Sequence, residues 1–322
     1  EVARDSGVSA VFDMPNTNPP ITHRSNVTDR LALAKNANVK KVFYGLYLGL
    51  TSNPEQIKEA VSLYREFFPQ IVGMKLYAGH SVGNLGVIDL FNQHIVYKTL
   101  AKEGFDGVLT VHAEKESELQ KVWNPKLPIS HCLARPEKAE VESVKDQLYL
   151  SELTGFKGKL HIAHISSPKA VQLVNEAQAK GRDISSGVCP HHLIYDWNKM
   201  FDENGVIWKM NPPLRAPGDP QIMLQYLREG KIDWLETDHA PHTLKQKTSS
   251  PFSSGITGLQ HWQLFIKYLT ENEFSEQRIE EVTFTKAANR FGIDIAKNKS
   301  QLKDRTRDYP FNFYSELEKR LA

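Results

Sequence analysis

The chain has 322 residues, of which 40% are hydrophobic and 24% are charged, an ordinary composition for a globular protein. Its 40 Lys and Arg residues nearly balance 38 Asp and Glu residues, so the charge favours neither a nucleic-acid-binding nor a membrane-surface protein. No apolar run approaches the ~20 residues of a membrane span, and no apolar segment typical of a signal peptide opens the chain. Since there are only two cysteines, we expect a cytoplasmic protein without a disulfide scaffold.

Short β-rich runs alternate with amphipathic stretches along the chain, which indicates an α/β protein with a parallel sheet. The predicted strands are Ser9–Met14, Lys41–Leu48, Ile71–Leu76, Gly107–Val111, Lys159–Ile165, Asp183–Cys189 and Ile232–Thr237. The clearest predicted helices between them are Pro54–Phe68, Ala139–Leu153, Pro168–Lys180 and Pro220–Glu229. Asn53 and Ser167 each precede a proline, a pattern typical of helix-capping residues.

The number of predicted strands bears on the fold, because a closed (β/α)8 TIM-like barrel needs eight and only seven are predicted. The first predicted strand begins almost at residue 1, so we expect the missing first strand to lie upstream. Residues 1–322 are predicted to form a single, truncated β/α barrel domain with a charged, helical tail from about residue 297 to 322. The Ser-rich segment Thr243–Ile256 is predicted to be a mobile loop, either a lid or a plain surface loop.

Nearly every predicted strand ends in a cluster of polar residues. The clusters are Asp13–Thr17, Lys75, His112–Glu114, His164–Ser166, Cys189–His192 and Thr237–His242. Barrel enzymes place their active sites at the carboxyl ends of the strands, so these clusters should converge on one small volume. Imidazoles and carboxylates suit zinc-like ions, and two neighbouring ions can activate water and polarise a carbonyl. The sequence therefore predicts a two-metal hydrolytic centre.

One lysine in these clusters, Lys75, could react with carbon dioxide to become a metal ligand. Lys75 lies late in an apolar strand, where burial lowers the pKa of a lysine. A neutral amine can take up carbon dioxide and form a carbamate, an anionic ligand whose two oxygens can bridge two cations. The alternative interpretation is a structural lysine that pairs with a carboxylate or extends its stem towards solvent.

Seven short motifs, in this order, resemble the dihydroorotases, a family of metal-dependent cyclic amidohydrolases. The motifs are MPNTNP (14–19), GMKLY (73–77), VHAE (111–114), ARPEKAE (134–140), HIAHIS (161–166), NPPLR (211–215) and TDHAPH (237–242). Together they span most of residues 8–260. The resemblance implies the reversible hydrolysis of (S)-dihydroorotate to N-carbamoyl-L-aspartate by a metal-bound hydroxide, in pyrimidine (UMP) biosynthesis.

The resemblance also implies a ligand set for two Zn²⁺ ions. Lys75 would be the carboxylated lysine that bridges the ions. His112 and His164 would bind one ion, and Asp238 would bind the other. Asp238 would in addition be the catalytic residue that carries a proton from the hydroxide to the leaving nitrogen.

Four further residues are implied to bind the substrate. Asn16 and His242 would hold its carboxylate, Asn211 would contact the ring, and Gly258 would touch the ring through its backbone. The implied partner is thus a small molecule, with no nucleic acid and no membrane, and a homodimer is left open as the assembly.

The remaining histidines near the motifs are interpreted as supporting residues. His161 lies three positions before His164, so on a strand the two face opposite sides, and His161 is expected to pack in the core. His191 and His192 are neighbours and cannot both point into a barrel, so neither is predicted to be a metal ligand.

The chain departs from the family because it contains no His-x-His pair. In the family this pair ends the first strand and is followed by an arginine, and alternate strand residues face the same side, so the pair supplies two ligands to one metal. We expect both features upstream of Glu1. Two alternatives stay open: a hydantoinase or allantoinase type of cyclic amidohydrolase, and an inactive dihydroorotase-like scaffold for a partner such as aspartate carbamoyltransferase.

Overall fold

The structure is a computed structural model that describes residues 1–80 and 85–322. Its strands are β1 (Ala10–Asp13), β2 (Phe43–Gly49), β3 (Ile71–Tyr77), β4 (Val108–His112), β5 (Lys159–Ile162), β6 (Ile184–Val188) and β7 (Trp234–Leu235). All neighbouring strands are parallel, and they lie side by side in chain order from β1 to β7. The predicted parallel α/β sheet is therefore confirmed.

Helices alternate with the strands as predicted. The α-helices are α1 (Val2–Asp5), α2 (Arg24–Ala37), α3 (Pro54–Phe67), α4 (Leu90–Lys102), α5 (Ser130–Ala134), α6 (Glu137–Leu153), α7 (Pro168–Ala179), α8 (Pro190–Ile194), α9 (Asp219–Glu229), α10 (Leu244–Thr248), α11 (Trp262–Glu271), α12 (Glu276–Glu280), α13 (Lys286–Phe291) and α14 (Ser315–Leu321). Short 3-10 helices cover Glu116–Glu118, Trp197–Phe201, Gly205–Trp208, Leu259–His261 and Thr306–Asp308, and a π-helical turn covers Glu281–Thr285.

Two of the helices begin at the capping residues that the sequence indicates. The side chain of Asn53 accepts a hydrogen bond from the backbone N–H of Glu55 at 2.9 Å, at the start of α3. The side chain of Ser167 accepts one from Ala170 at 3.1 Å, at the start of α7. In both helices the proline that follows the cap takes the first position, where its missing N–H costs nothing.

An aromatic cluster on the inner face shows that the sheet curls. Phe12 of β1, Tyr47 of β2 and Trp234 of β7 all pack against Phe291, with ring centroids 4.9, 6.0 and 6.1 Å away. Since β1 and β7 are the two outer strands, contact of both with one ring requires the sheet to bend into a half-barrel. A cavity of about 1190 Å³ lies between them. The described residues thus form a curled, seven-stranded sheet with an opening.

The C-terminal tail differs from its prediction. It was expected to be helical from about residue 297, but α14 covers only Ser315–Leu321. Before it, the tail binds the N-terminal segment: Asn298 donates to the carbonyl oxygen of Val8 at 3.0 Å, and Arg305 donates to the Asp5 carboxylate at 2.8 Å. These long-range bonds hold the backbone in an irregular path, which the helix-like charge pattern could not reveal.

The polar loop Thr243–Ile256 is also more tightly held than its composition indicates. It contains α10, whose Lys247 is only 1% exposed. The Lys247 ammonium donates hydrogen bonds to the carbonyl oxygens of Lys209, Ser253 and Gly255 at 2.8, 3.1 and 2.8 Å. The sequence does not indicate these contacts, because the lysine lies in a polar segment whose composition is typical of an exposed loop. A role as a lid or as a plain surface loop stays a prediction.

We predict that Lys247→Met lowers the free energy of unfolding by at least ~2 kcal/mol, because each buried carbonyl left without a partner costs ~1–3 kcal/mol. The substitution also removes the cost of burying the ammonium group, which offsets part of this loss, but methionine supplies no hydrogen-bond donor to the three carbonyl oxygens. Lys245→Met, an exposed lysine of the same helix, is the matched control and should change stability by less than ~0.5 kcal/mol. Denaturant unfolding measures both, and equal midpoints for the two variants would contradict the prediction.

Candidate metal centre

Six of the eight predicted site residues line the cavity between β1 and β7. They are Asn16, Lys75, His112, His164, Asn211 and Asp238. The parallel sheet explains the convergence, because its strands all end at the same edge. Lys75 lies in β3, His112 is the last residue of β4, and Asp238 follows β7 by three residues.

Two histidines face each other in this cavity. Nδ1 of His112 and Nε2 of His164 lie 3.2 Å apart. Two nitrogens bound to one tetrahedral zinc ion, each at ~2.0–2.1 Å, would be roughly 3.3 Å apart. Burial lowers the pKa of both rings, which keeps them neutral with a lone pair each. The pair therefore has the spacing and the charge state of two ligands of one ion.

A buried carboxylate orients the first of these histidines. Oε2 of Glu114 lies 3.0 Å from Nε2 of His112 and accepts a 2.7 Å bond from the Arg135 guanidinium. Burial opposes ionisation of Glu114, but Arg135 and His112 together hold its pKa well below the usual value. The negative charge is thus retained in the interior, where it fixes the ring of His112, as carboxylates commonly do for metal-binding histidines.

Lys75 and Asp238 are titratable groups whose pKa values both lie close to neutrality. The Lys75 side chain is buried, and this lowers its pKa to about 8 although Glu236 and Asp238 favour the charged form. Burial raises the pKa of Asp238 to about 6, although Lys75 opposes the rise. A neutral amine is therefore accessible for carbamate formation, and the carboxyl group can both accept and donate a proton near pH 7.

The backbone is strained at two of the predicted ligands. His164 and Asp238 have φ angles of +39° and +41°, in the left-handed region that side chains other than glycine seldom adopt. Such strain persists only where surrounding contacts hold it, and it concentrates at functional sites. The Glu236 carboxylate accepts a hydrogen bond from the N–H of His164 and holds that turn. A Cβ atom at Gly187 would lie 2.5 Å from the Glu236 carboxylate, so the glycine provides the space for it.

Glu236 is a residue of the centre that the sequence analysis missed. Besides His164, its carboxylate lies 3.3 Å from Nε2 of His161 and accepts a 3.2 Å bond from the Trp234 indole. His161 itself stacks on Trp234, with ring centroids 4.3 Å apart, as a packing residue would. Glu236 could have been found from the sequence, because it is a carboxylate near the end of the predicted strand Ile232–Thr237, next to the cluster that contains Asp238.

The other two predicted site residues, His242 and Gly258, are not among the residues that line the cavity. Nε2 of His242 is 2.9 Å from the carbonyl oxygen of Ser254. The N–H of Gly258 donates to Nδ1 of His239 at 3.1 Å, and its carbonyl accepts from the N–H of His261 at 3.0 Å. Both polar groups of the Gly258 backbone are engaged within the protein, so its contact with a substrate ring stays a prediction.

The C-terminal tail contributes one unexpected residue to the cavity. The hydroxyl of Tyr309 lies 3.0 Å from Nε2 of His239, and both residues line the cavity. Since Nδ1 of His239 accepts a backbone hydrogen bond, Nε2 carries the ring hydrogen and donates it to Tyr309. No motif covers the tail, so the sequence contained no signal for this contact.

Comparison with known proteins finds similarity to enzymes that act on cyclic amides. No family model matches it. It is 29% identical to a dihydroorotase from Methanosarcina mazei over 312 residues, which are 91% of this chain and 64% of that protein. It is 27% identical to an allantoinase from Deinococcus radiodurans over 280 residues, with coverages of 84% and 60%. The chain is related to the cyclic amidohydrolases.

A solved structure extends the relationship to a third cyclic amidohydrolase. The L-hydantoinase from Arthrobacter aurescens superposes with a TM-score of 0.79 and 25% identity, covering 94% of this chain and 68% of that one. The chain spans less than two thirds of the length of the two curated relatives. In this chain, no helix within residues 1–80 and 85–322 is long and apolar enough to cross a membrane.

We predict that Glu114→Gln weakens metal binding by ~10–100-fold, the usual effect of removing the carboxylate that orients a ligand histidine. Glu118→Gln is the control, because Glu118 forms a surface ion pair with Lys138 at 2.9 Å and should have no effect on affinity. Titration of the full-length protein with Zn²⁺ against a competing chelator measures both. Equal affinities in the two variants would contradict the orienting role of Glu114.

Proposed function

We propose that this chain is the larger part of a two-metal dihydroorotase, which converts (S)-dihydroorotate reversibly to N-carbamoyl-L-aspartate in the cytoplasmic synthesis of pyrimidines. The observation that carries the proposal is the meeting of Lys75, Asp238 and the His112–His164 pair in one cavity. An inert scaffold would have no need to keep a lysine and an aspartate whose pKa values both lie near neutrality. The match to the Methanosarcina mazei dihydroorotase supports the choice of substrate.

The proposed architecture is a (β/α)8 barrel that is completed by a strand outside the described residues. The opening between β1 and β7 supports it, because one further strand there would pair with both outer strands and close the sheet. That strand is also proposed to carry the His-x-His pair and the arginine.

Two Zn²⁺ ions fit the donor set of the cavity. His112 and His164 would hold one ion and Asp238 the other, with the carbamate of Lys75 between them. Bound there, the ions would activate water and polarise the carbonyl of the ring amide. A lysine carbamate needs a neutral amine, and the pKa of Lys75 near 8 supports this role.

Asp238 is proposed to carry the proton during hydrolysis. Ring opening requires a base when water attacks the carbonyl carbon and an acid when the C–N bond breaks. A carboxyl group with a pKa of about 6 can accept the proton from water and deliver it to the ring nitrogen that leaves. The left-handed backbone at Asp238 is consistent with this role, because such strain concentrates at functional sites.

The substrate is proposed to lie against Asn16 and Asn211. Oδ1 of Asn211 is buried and has no hydrogen-bond partner among the described residues, so it can accept a ring N–H. Asn16 would donate to the substrate carboxylate. His242 is proposed to join it after releasing the carbonyl oxygen of Ser254.

The second candidate is an allantoinase or hydantoinase activity on a neutral ring. The match to the Deinococcus radiodurans allantoinase and the superposition on the Arthrobacter aurescens hydantoinase favour it. The two candidates differ in whether the site binds a free carboxylate.

We predict that, in the full-length protein, Lys75→Ala abolishes binding of two metal ions and reduces turnover to background, because the bridging carbamate cannot form. Short carboxylic acids should restore part of the activity by supplying the bridging oxygens. Lys159→Ala is the control, since this lysine lies at the start of β5, far along the strands from the centre. Metal analysis that finds two ions in Lys75→Ala would contradict the carbamate role.

We predict that dihydroorotate is hydrolysed far faster than the neutral rings dihydrouracil, hydantoin and allantoin. A charge-assisted contact contributes ~1.5–3 kcal/mol, so Asn16→Ala and His242→Ala should each lower kcat/KM for dihydroorotate by at least ~10-fold. Neither variant should slow the neutral rings. Equal rates of the native enzyme on charged and neutral rings would instead identify a hydantoinase or allantoinase.

A further inference from the structure

Three metal-binding side chains meet at the carboxyl end of β6, outside the proposed two-metal centre. Cys189 directly follows β6, and His191 and His192 are in α8. One donor atom of each residue lies within 4.8 Å of the donor atoms of the other two. Their exposed fractions are 0%, 1% and 3%, so the cluster is sealed from bulk solvent.

The hydrogen bonding of His192 leaves one of its nitrogens free. Its Nε2 lies 3.2 Å from the carbonyl oxygen of Pro212. A carbonyl oxygen can only accept, so Nε2 carries the ring hydrogen and Nδ1 holds the lone pair. Nδ1 is buried and has no hydrogen-bond partner among the described residues. A histidine that donates one N–H to a backbone carbonyl and offers its other nitrogen is the usual arrangement of a metal ligand.

His191 presents a second free nitrogen beside the first. Its Nδ1 is also buried and without a hydrogen-bond partner in the described part of the chain. The rings of His191 and His192 are 4.3 Å apart between centroids. Leaving a buried polar atom unpaired costs ~1–3 kcal/mol, so two such atoms side by side need an explanation. A bound cation would satisfy both.

We propose that Cys189, His191 and His192 form a third metal site, which binds Zn²⁺ next to the two-metal centre. One sulfur and two imidazole nitrogens suit this borderline-soft cation and do not suit Mg²⁺ or Ca²⁺. Zinc bonds of ~2.0–2.3 Å place ligand atoms roughly 3.5 Å apart, so a small inward movement of the side chains completes the site.

Binding converts the Cys189 thiol to a thiolate, releases its proton, and forms three bonds from the protein to the ion. The fourth tetrahedral position is then open to water or another small ligand. Cys189 directly follows β6, which pairs with β7, the strand that precedes Asp238, so it lies at the same edge of the sheet as the proposed centre. An ion bound to Cys189 is therefore positioned beside the proposed centre, without sharing the ligands proposed there.

Cobalt substitution distinguishes this site from the two-metal centre. Co²⁺ bound to a thiolate gives a near-ultraviolet charge-transfer band, and the ligands of the proposed two-metal centre include no thiolate. The chain has only two cysteines, so Cys132→Ser is a matched control for Cys189→Ser. In the full-length protein loaded with Co²⁺, we expect the band in the native protein and in Cys132→Ser, and its complete loss in Cys189→Ser.

A second variant covers the case in which Cys189→Ser fails to fold. His191→Asn keeps the thiol and removes one ligand, so the Co²⁺ concentration that half-saturates the band should rise at least tenfold. Metal analysis should also find one Zn²⁺ fewer per chain in this variant. The proposal is overturned if the native protein shows no band, if the band survives in folded Cys189→Ser, or if His191→Asn titrates like the native protein. None of these readouts requires dihydroorotase activity.

Discussion

Burial of charge at the carboxyl ends of the strands is the constraint on which the centre depends. Lys75 and Asp238 lose their hydration together, and desolvation penalises the charged form of each. Their pKa values therefore move towards each other, to about 8 and about 6. In water the ammonium and carboxylate would be inert over the neutral range. In this cavity the amine of Lys75 can be neutral, as carbamate formation requires, and the carboxyl group of Asp238 can exchange a proton near pH 7. These are the properties on which the proposed function depends.

The same constraint explains the two buried carboxylates that hold the histidines. A carboxylate can remain charged in the interior only when opposite charges and hydrogen-bond donors surround it. Glu114 meets this condition through Arg135 and His112, and Glu236 meets it through His161, the N–H of His164 and the Trp234 indole. Each carboxylate needs these partners to stay charged in the interior. The same contacts fix His112 beside Glu114 and the backbone of His164 beside Glu236. The contacts that stabilise the buried carboxylates are thus the same contacts that orient the histidines.

The parts of the molecule that could be predicted are those in which local pattern and global structure agree. All seven strands follow from short apolar runs. The convergence of five predicted site residues on one cavity follows from polar groups at strand ends, because parallel strands share one edge. Long-range contacts could not be predicted. The bond from Arg305 to Asp5 joins residues 300 positions apart, and Lys247 is buried by carbonyl groups of two segments. Glu236 lies between these cases, since its place near a strand end makes it a candidate but does not identify its partners.

The two ends of the strands differ in composition: residues near the amino ends pack an apolar cluster, and residues near the carboxyl ends line the candidate centre. Near their amino ends, the strands contribute apolar residues to a cluster around Phe291. These are Phe43, the first residue of β2; Val72, the second residue of β3; and Val108, the first residue of β4. Among the described residues, this cluster joins β1 to β7 across the opening, where no pairing of strand backbones does so. Towards their carboxyl ends the same strands present charged and strained groups that would destabilise an ordinary core. The polar groups at the carboxyl ends of the strands can be tolerated because the apolar residues near the amino ends supply the packing. In barrels of this kind, this separation lets the loops at the carboxyl edge differ in chemistry while the sheet stays the same.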